Sequence, residues 1–377
     1  MTVSHLRLKE IRIPFKASFR HASAERASTS SVWAEARSTD GLTGYGEACP
    51  RPYVTGETIK TVQAFVSRYQ ASICRDVADL ESLRAWTRTH AAEIDRNPAA
   101  WCVIEMAVLD LLGKERAQPL EALLSLPALT GRFQYSAVVG DAEPEAFARV
   151  VDQYCRHGFT DFKVKLSGLL DRDRAKLAIL SDRSAGRVRL DANNLWERAK
   201  DAIPFLRGLG GSLFAVEEPI RPNQYGALAD VADALDCRIV LDESFLRVDQ
   251  VAELGEPKWR WLINLRVSKM GGVLRSLQVV ERLRAEGLGL IVGAQVGETS
   301  LLTRAALTVA HAGADLLVAQ EGAFGTLLLT DDICDRPLMF GAGGVLDVAS
   351  YPSLHGYGLG ILQSEPLNSE RFVSMPI

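Results

Sequence analysis

Eight short, β-rich apolar segments recur at a nearly constant spacing from Phe133 onward. Their central residues are Val138, Val164, Leu190, Val216, Leu241, Leu265, Ile291 and Val318. Successive centres lie 24 to 27 residues apart, with amphipathic stretches between them. That period accommodates one strand, one helix and two loops, so eight units predict a (β/α)₈ barrel of parallel strands. An open doubly wound sheet is the alternative, but eight even units close more readily than they stay open.

The residues before this repeat follow a different pattern. Loose alternation of apolar and polar residues over 2–13 and 30–37, followed by the turn dipeptide Asp40-Gly41, predicts a small antiparallel sheet. Apolar residues at helical spacing then predict three helices, over residues 57–74, 79–89 and 98–115.

The tail after Cys334 is too long to be only a final barrel helix, and we expect it to return to the first domain. The predicted division is an α+β capping domain at 1–128, a (β/α) barrel at 129–334 and a returning C-terminal segment at 335–377.

Charge and composition exclude several function classes. The 377 residues carry 43 Lys and Arg against 47 Asp and Glu, a net charge of −4 that argues against nucleic-acid binding. No apolar run reaches the ~18 residues of a membrane span, and charges interrupt the start of the chain where a signal peptide would be apolar. Six scattered cysteines are expected as buried thiols in a reducing environment. We therefore expect a cytoplasmic protein without nucleic-acid or membrane partners.

Three carboxylates end the third, fourth and fifth predicted strands: Asp191, Glu217 and Asp242. A single carboxylate there is more often a helix N-cap, but three in successive units need another explanation. Adjacent strands lie about 4.8 Å apart, so these side chains would raise each other's pKa unless a cation lies among them. Oxygen ligands without His or Cys favour a hard divalent ion, with Mg²⁺ the first choice and Mn²⁺ the second.

Lysines are predicted on opposite walls of this metal site. Lys163 and Lys165 share one face of strand two, whereas Lys269 ends strand six, which is diametrically opposite in a ring of eight. A substrate carboxylate on the metal would hold its α-carbon between these amines. Neighbouring positive charge is expected to lower the pKa of Lys165 and suit it to act as a base. The pattern indicates abstraction of the proton α to a carboxylate, with the metal as Lewis acid.

These segments resemble the enolase superfamily, specifically the muconate lactonizing enzyme subgroup, for which a lysine base with Mg²⁺ is a known pattern. FKVKL (162–166) resembles the K-x-K motif, whose second lysine, here Lys165, is the family base. LDANN, VEEP and LDES resemble the three metal-ligand segments, and NLRVSKMGG (264–272) resembles the segment of the opposite lysine. GLTGYGEACP, TGET and GAQVGETS resemble capping-domain and seventh-strand segments. The resemblance covers nearly the whole chain and implies a modified TIM barrel under an α+β cap built from both termini.

The resemblance also implies which residues surround the substrate. Cap loops around 15–26 and 49–55 would close over it. The candidates in these loops are His21, Arg26, Arg51 and Tyr53. The candidates on the barrel are Ser136, Asn193, Gln295, Glu298, Glu321 and Phe324. His355, in the altered terminal motif SLHGYGLG, is either a residue that closes the pocket or part of a surface turn.

The segment after the eighth strand departs from one branch of the family. Dipeptide epimerases resemble one another in an Asp-x-Asp that binds the substrate ammonium, whereas this chain has Gln320-Glu321-Gly322. The departure argues against an ordinary dipeptide substrate, although Glu321 retains one carboxylate for an ammonium. EGAFG (321–325) is more similar to the cycloisomerases.

Three reactions therefore remain open for a small carboxylate substrate. The first is racemisation or epimerisation of an amino-acid derivative, with Lys165 and Lys269 as the two acid/base groups and Lys163 beside them. The others are lactone formation by a muconate-type cycloisomerase and a β-elimination like o-succinylbenzoate synthesis. A non-catalytic protein should have lost a ligand or a lysine, and none is missing, while a Schiff-base aldolase would not need three carboxylates. A homo-oligomer is expected from the resemblance alone.

Overall fold

The N-terminal part of the chain is built on a small antiparallel sheet. The computed structural model describes residues 3–21, 24–361 and 372–375, and the side chains of residues 17–26 and 372 lie outside the described part. The first five strands are β1 (Val3–Ile11), β2 (Pro14–His21), β3 (Ala24–Ser28), β4 (Ser31–Ser38) and β5 (Thr43–Ala48). Strands β1, β4 and β5 form the predicted sheet, whereas β2 and β3 form a separate hairpin that the sequence pattern did not predict.

Five helices follow the sheet in this cap. They are α1 (Ile59–Asp76), α2 (Leu80–Thr89), α3 (Ala91–Arg96), α4 (Pro98–Glu115) and α5 (Leu120–Leu123). The side chains of Thr58 and Asp79 cap α1 and α2, because each accepts a hydrogen bond from a backbone N–H of the first turn. The three helices predicted from apolar spacing correspond to α1, α2 and α4.

Helix α4 is buried along almost its whole length because it lies between the cap sheet and the barrel. Two glycines of β5, Gly44 and Gly46, allow this close packing. A Cβ atom at Gly46 would overlap the carbonyl oxygen of Val103, and one at Gly44 would overlap that of Ala107.

The barrel contains the eight predicted strands, each at its expected place. A short strand, β6 (Arg132–Gln134), precedes them. The eight are β7 (Ala137–Val139), β8 (Asp161–Lys165), β9 (Arg187–Asp191), β10 (Ala215–Glu217), β11 (Arg238–Leu241), β12 (Trp261–Leu265), β13 (Gly289–Val292) and β14 (Leu317–Gln320). They form one curled parallel sheet in chain order. A backbone hydrogen bond of 2.8 Å from Ser136 to the carbonyl of Gln320 joins its two edges.

Helices cover the outside of this sheet. They are α6 (Pro144–Arg156), α7 (Leu170–Arg183), α8 (Ala199–Gly208), α9 (Tyr225–Leu235), α10 (Val267–Met270), α11 (Val273–Glu286) and α12 (Ser300–Ala312). A 3₁₀ helix at Val248–Glu253 follows β11. Among the described residues, no helix combines the length and apolar character that crossing a lipid bilayer requires.

The tail contacts both parts of the molecule. Strand β15 (Val345–Asp347) pairs with β6 at the base of the barrel, and β16 (Phe372–Met375) pairs antiparallel with β1. The cap also reaches the barrel through its second strand, because the backbone N–H of Lys16 donates to the carbonyl of Leu328 (2.8 Å). The fold is therefore the expected modified barrel with a cap formed by both ends of the chain.

Candidate active site

The predicted carboxylates lie side by side at the C-terminal ends of three strands. Asp191 on β9 is the direct cross-strand neighbour of Glu217 on β10, and it also neighbours Lys165 on β8. Asp242 immediately follows β11. Each of the three carboxylate residues is only 2% exposed. The strands therefore bring the predicted metal ligands into one buried row, with Glu217 in the middle.

Lys163 lies beneath this row and pairs with several carboxylates at once. Its ammonium donates to both oxygens of Glu217 (3.0 and 2.9 Å) and to Oε2 of Glu321 (3.0 Å), and lies 3.4 Å from Asp191. Burial by itself would lower the pKa of Lys163, but these carboxylates outweigh burial and raise the pKa above its usual value. Lys163 is therefore a fixed positive charge.

Lys165 approaches one end of the row. Its ammonium donates to Oδ2 of Asp191 (3.1 Å) and to Oδ1 of Asn193 (2.6 Å). Asn193, a predicted substrate contact, has a left-handed backbone with φ of 46° in the turn after β9, and in this structure its side chain orients the lysine.

Lys269 approaches the other end of the row, but not from a strand as predicted. Strand β12 ends at Leu265, and Lys269 lies on α10, a single helical turn that Gly271 ends in the left-handed conformation. The ammonium donates to the carbonyl oxygen and Oδ1 of Asp242 (2.6 and 2.9 Å) and to the carbonyl of Asn264 (2.7 Å). Burial lowers the pKa of Lys269, and the nearby Asp242 carboxylate only partly offsets this.

The closely spaced carboxylates of the row favour the binding of a further cation. Burial, together with the carboxylates of Asp191, Glu321 and Asp242, raises the pKa of Glu217 to about 7 against the opposing effect of Lys163. As the side chains stand, the described residues form no group of three or more His, Cys, Asp or Glu side chains arranged to hold a metal ion. Basic side chains bind oxygens of all three carboxylates. The donor chemistry fits a hard divalent ion, which would compete with these internal cations.

Two residues that the sequence did not mark complete this part of the site. Arg266 contacts Oδ2 of Asp242 through Nη2 and donates from Nη1 to Oε1 of Gln295 (3.0 Å). Asn264 donates from Nδ2 to Oε1 of Glu217 (3.0 Å). Both lie in the segment NLRVSK, where two polar residues among apolar neighbours at a strand end were the available signal.

A second charged network fills the barrel below the row. Arg189, fully buried on β9, donates to Oε1 of Glu321 (2.9 Å) and to Oγ of Ser136 (2.7 Å), and lies 3.3 Å from Asp161. Ser136 in turn contacts Asp161. Both oxygens of Glu321 are thus bound, one by Arg189 and one by Lys163. Ser136 and Glu321, predicted as substrate contacts, are parts of this internal network in the structure, and their binding roles stay predictions.

The remaining predicted substrate contacts lie in the cap, in the loops that follow the barrel strands, in the tail, or outside the residues that the structure describes. Arg51 is fully buried and donates to the carbonyls of Ser30 (2.9 Å), Pro50 (2.9 Å) and Val296 (2.7 Å), so it links the cap to the loop after β13. In that loop, Glu298 accepts a hydrogen bond from the backbone of Gln295 (2.6 Å). Burial raises the pKa of Glu298 to about 8.

Five further candidates remain. Tyr53 is half-buried after β5, and Phe324 is half-buried after β14 with its ring centroid 5.3 Å from that of Phe340. His355 is exposed in the tail, which agrees with the surface-turn alternative. The side chain of Arg26, like that of His21, lies outside the described residues.

Comparison with known proteins identifies the family. The enolase C-terminal domain-like family model matches residues 146–365, which assigns the barrel to the enolase class. The model of the mandelate racemase / muconate lactonizing enzyme N-terminal domain matches residues 3–125. The chain therefore belongs to the mandelate racemase/muconate lactonizing enzyme family of the enolase superfamily.

Similar proteins in this family are isomerases. A hydrophobic dipeptide epimerase of Enterococcus faecalis is 26% identical over 86% of this chain and 92% of that protein. An L-Ala-D/L-Glu epimerase of Bacillus subtilis is 26% identical over 97% and 99%. An N-succinyl-L-Arg/Lys racemase of Bacillus cereus is 23% identical over 88% and 90%. The chain is accordingly an isomerase.

Solved structures share the whole fold. The dipeptide epimerase from Enterococcus faecalis, complexed with Mg and the dipeptide L-Leu-L-Tyr, superposes with a TM-score of 0.82 at 23% identity, covering 96% of this chain and all of that one. The 2-chloromuconate cycloisomerase from Rhodococcus opacus has a TM-score of 0.85 at 22% identity and covers both chains completely. Epimerases and cycloisomerases thus share this architecture, which by itself does not select between them.

Proposed function

We propose that this protein is a divalent-metal-dependent racemase or epimerase of an amino-acid derivative. One observation carries the proposal: the two outer members of the carboxylate row each bind a different lysine. Asp191 accepts a hydrogen bond from Lys165, and Asp242 accepts one from Lys269, so the two amines lie at opposite ends of the row. A substrate carbon held over Glu217 would present one face to each amine, as inversion of a stereocentre requires.

The residues have distinct roles in this proposal. Lys165 and Lys269 remove and return the α-proton on opposite faces, and Lys163 supplies a fixed positive charge below the substrate. Asp191, Glu217 and Asp242 would hold Mg²⁺ as the first choice and Mn²⁺ as the second. When bound, such an ion stabilises the negative charge that develops on the substrate carboxylate as the proton leaves.

The structure also favours a substrate that places no free ammonium group beside Glu321. Both oxygens of Glu321, the residue predicted to receive an ammonium, are bound by Lys163 and Arg189. The charge of Glu321 is therefore already compensated by two buried cations, and a cationic substrate group added beside them would be repelled. An N-acetyl or N-succinyl amino acid has no ammonium on its acyl group, and the similar Bacillus cereus protein is an N-succinyl-L-Arg/Lys racemase.

The test is proton exchange in D₂O with Mg²⁺. The protein would be incubated with both enantiomers of N-succinyl and N-acetyl amino acids, with dipeptides and with muconate, and followed by mass spectrometry and polarimetry. We expect deuterium incorporation with inversion for the N-acylated compounds and loss of this activity with EDTA. Lys165→Ala and Lys269→Ala should each abolish inversion, whereas Lys200→Ala, an exposed lysine on α8, should retain it.

The outcomes separate the alternatives. Lactone formation from muconate without inversion of any amino-acid derivative would establish the cycloisomerase instead. Full activity in the presence of EDTA would contradict the metal assignment. Dipeptide turnover far above that of N-acetyl and N-succinyl compounds would contradict the proposed preference for substrates without an ammonium beside Glu321 while leaving the racemase proposal intact.

A further inference from the structure

Residues of the cap form hydrogen bonds with the chain on both sides of Lys269. Before the lysine, the backbone N–H of Cys49 donates to Oγ of Ser268 (2.9 Å). After it, the Glu105 carboxylate of α4 accepts hydrogen bonds from the backbone N–H groups of Val273 (2.6 Å) and Leu274 (3.0 Å), the first two residues of α11. Glu105 is fully buried. A carboxylate from the cap therefore caps a helix of the barrel, immediately after the segment that carries Lys269.

The turn between α10 and α11 is built around this carboxylate. Gly271 and Gly272 both have positive φ, of 85° and 103°. A Cβ at Gly272 would overlap the Glu105 carboxylate, so only glycine leaves room for it. Helix α10 is a single turn, so its position depends on the segments that flank it in the chain. These are β12 before it and, after it, the turn that Glu105 of the cap holds.

The backbone around Lys165 is held by a different set of contacts, all of them within the barrel. The buried ammonium of Lys176, on α7, donates to the backbone carbonyl of Lys165 (2.8 Å) and pairs with Asp173 (2.7 Å). Asp173 accepts hydrogen bonds from the backbone N–H groups of Ser167 (3.0 Å) and Gly168 (3.1 Å). The end of β8 is thus held by α7, and these contacts involve no residue of the cap.

From this asymmetry we infer that Glu105 is a positioning residue for Lys269, through which the cap controls proton transfer on one face of the substrate only. The inference rests on the proposed two-lysine function. Glu105→Gln has nearly the same size but offers one acceptor oxygen to two N–H groups, so the α10–α11 turn loosens. Small displacements of a catalytic group lower rates by up to about a hundredfold.

The test compares α-proton exchange of the two enantiomers, assigned to their lysines by Lys165→Ala and Lys269→Ala. Glu105→Gln should slow exchange of the Lys269 enantiomer by about 10- to 100-fold and leave the other within about threefold. Lys176→Met is the matched variant and should reverse the asymmetry. Equal slowing of both enantiomers by Glu105→Gln would overturn the inference, as would unchanged rates for both.

Amide hydrogen exchange provides a readout that does not depend on activity. In Glu105→Gln, protection of the backbone amides from exchange should fall over residues 267–274 and remain unchanged over 161–168. In Lys176→Met, this protection should fall over 161–168 and remain unchanged over 267–274. Unchanged protection over 267–274 would overturn the inference even if no substrate is turned over. If the wild-type protein exchanges neither enantiomer while protection responds as expected, the proposed reaction fails and the positioning of this segment by the cap stands.

Discussion

Asn264 joins the middle carboxylate of the row to one of the lysines. Its Nδ2 donates to Oε1 of Glu217 (3.0 Å), and its backbone carbonyl accepts a hydrogen bond from the Lys269 ammonium (2.7 Å). The side chain is fully buried at the end of β12. One residue therefore orients a proposed metal ligand with its side chain and a proposed acid/base group with its backbone.

Replacing this amide should weaken metal binding. In Asn264→Ala, Glu217 loses a donor that fixes the orientation of its carboxylate, while the backbone contact to Lys269 is retained. Loss of such a supporting hydrogen bond typically costs 10- to 100-fold in metal affinity, and we expect a loss in that range for Mn²⁺ measured by paramagnetic resonance. Asn97→Ala, which removes an amide from the cap, is the control. Equal affinities in the two variants would contradict the supporting role of Asn264.

Two arginines of β9 should contribute very differently to stability, although both contact Asp161. Arg189 has no exposed side-chain surface and pairs with Glu321 as well, whereas the Arg187 side chain is 38% exposed. Arg189→Met leaves buried carboxylates with fewer partners and should lower the free energy of unfolding by about 3–5 kcal/mol. Arg187→Met should cost at most about 1 kcal/mol, because solvent screens the pair. Urea unfolding measures both, and similar losses would show that burial does not govern this network.

Sequence pattern alone could predict most of the barrel, because each strand and helix is a local unit repeated at a fixed spacing. It also placed the three carboxylates at the ends of their strands and both Lys163 and Lys165 on β8, because these positions follow from those of the strands. Alternation in DFKVK and RVRLD could have revealed Asp161 and Arg189 on the inner face. The pairing of their charges could not be derived, because it depends on which strands meet across a closed sheet.

Contacts between segments that are distant in the chain could not be predicted from the sequence pattern either, because they also depend on the tertiary fold. Glu105 reaches Val273 across 168 positions of sequence, and in the sequence it is simply one acid in an apolar helix. The position of Lys269 on α10 was missed because a one-turn helix ended by glycine leaves no periodic signal. Such details come from the packing of the cap on the barrel rather than from local preference.

The buried carboxyl group of Glu57 should make the free energy of unfolding fall as the pH rises. This cap residue is 2% exposed, and its carboxylate accepts hydrogen bonds from the N–H groups of Ala99 and Ala100, both 2.9 Å. Burial raises the pKa of Glu57 to about 7 from the ordinary 4.5. The folded protein therefore keeps a proton that the unfolded chain has already lost, so stability present below pH 4.5 is lost as the pH rises toward 7.

Glu57→Gln should remove this dependence. Relative to the variant, the wild-type protein should lose about 3 kcal/mol of unfolding free energy between pH 4.5 and 7, at 1.36 kcal/mol per pKa unit. Urea unfolding across this range measures the difference. Glu81→Gln, on an exposed side chain of α2, is the control and should follow the wild-type curve. Parallel curves for wild type and Glu57→Gln would show that Glu57 is ionised in the folded protein.

Magnesium should stabilise the folded protein through the carboxylate row. An ion that binds only the native state raises the unfolding free energy by about 2.7 kcal/mol at a hundredfold excess over its dissociation constant. Asp242→Asn should lose most of this gain, because a neutral amide binds the ion more weakly and leaves Lys269 and Arg266 without their charged partner. Asp249→Asn, on an exposed side chain of the 3₁₀ helix after β11, should retain it. Thermal unfolding with and without Mg²⁺ measures the effect, and equal stabilisation of Asp242→Asn and wild type would place the ion outside the row.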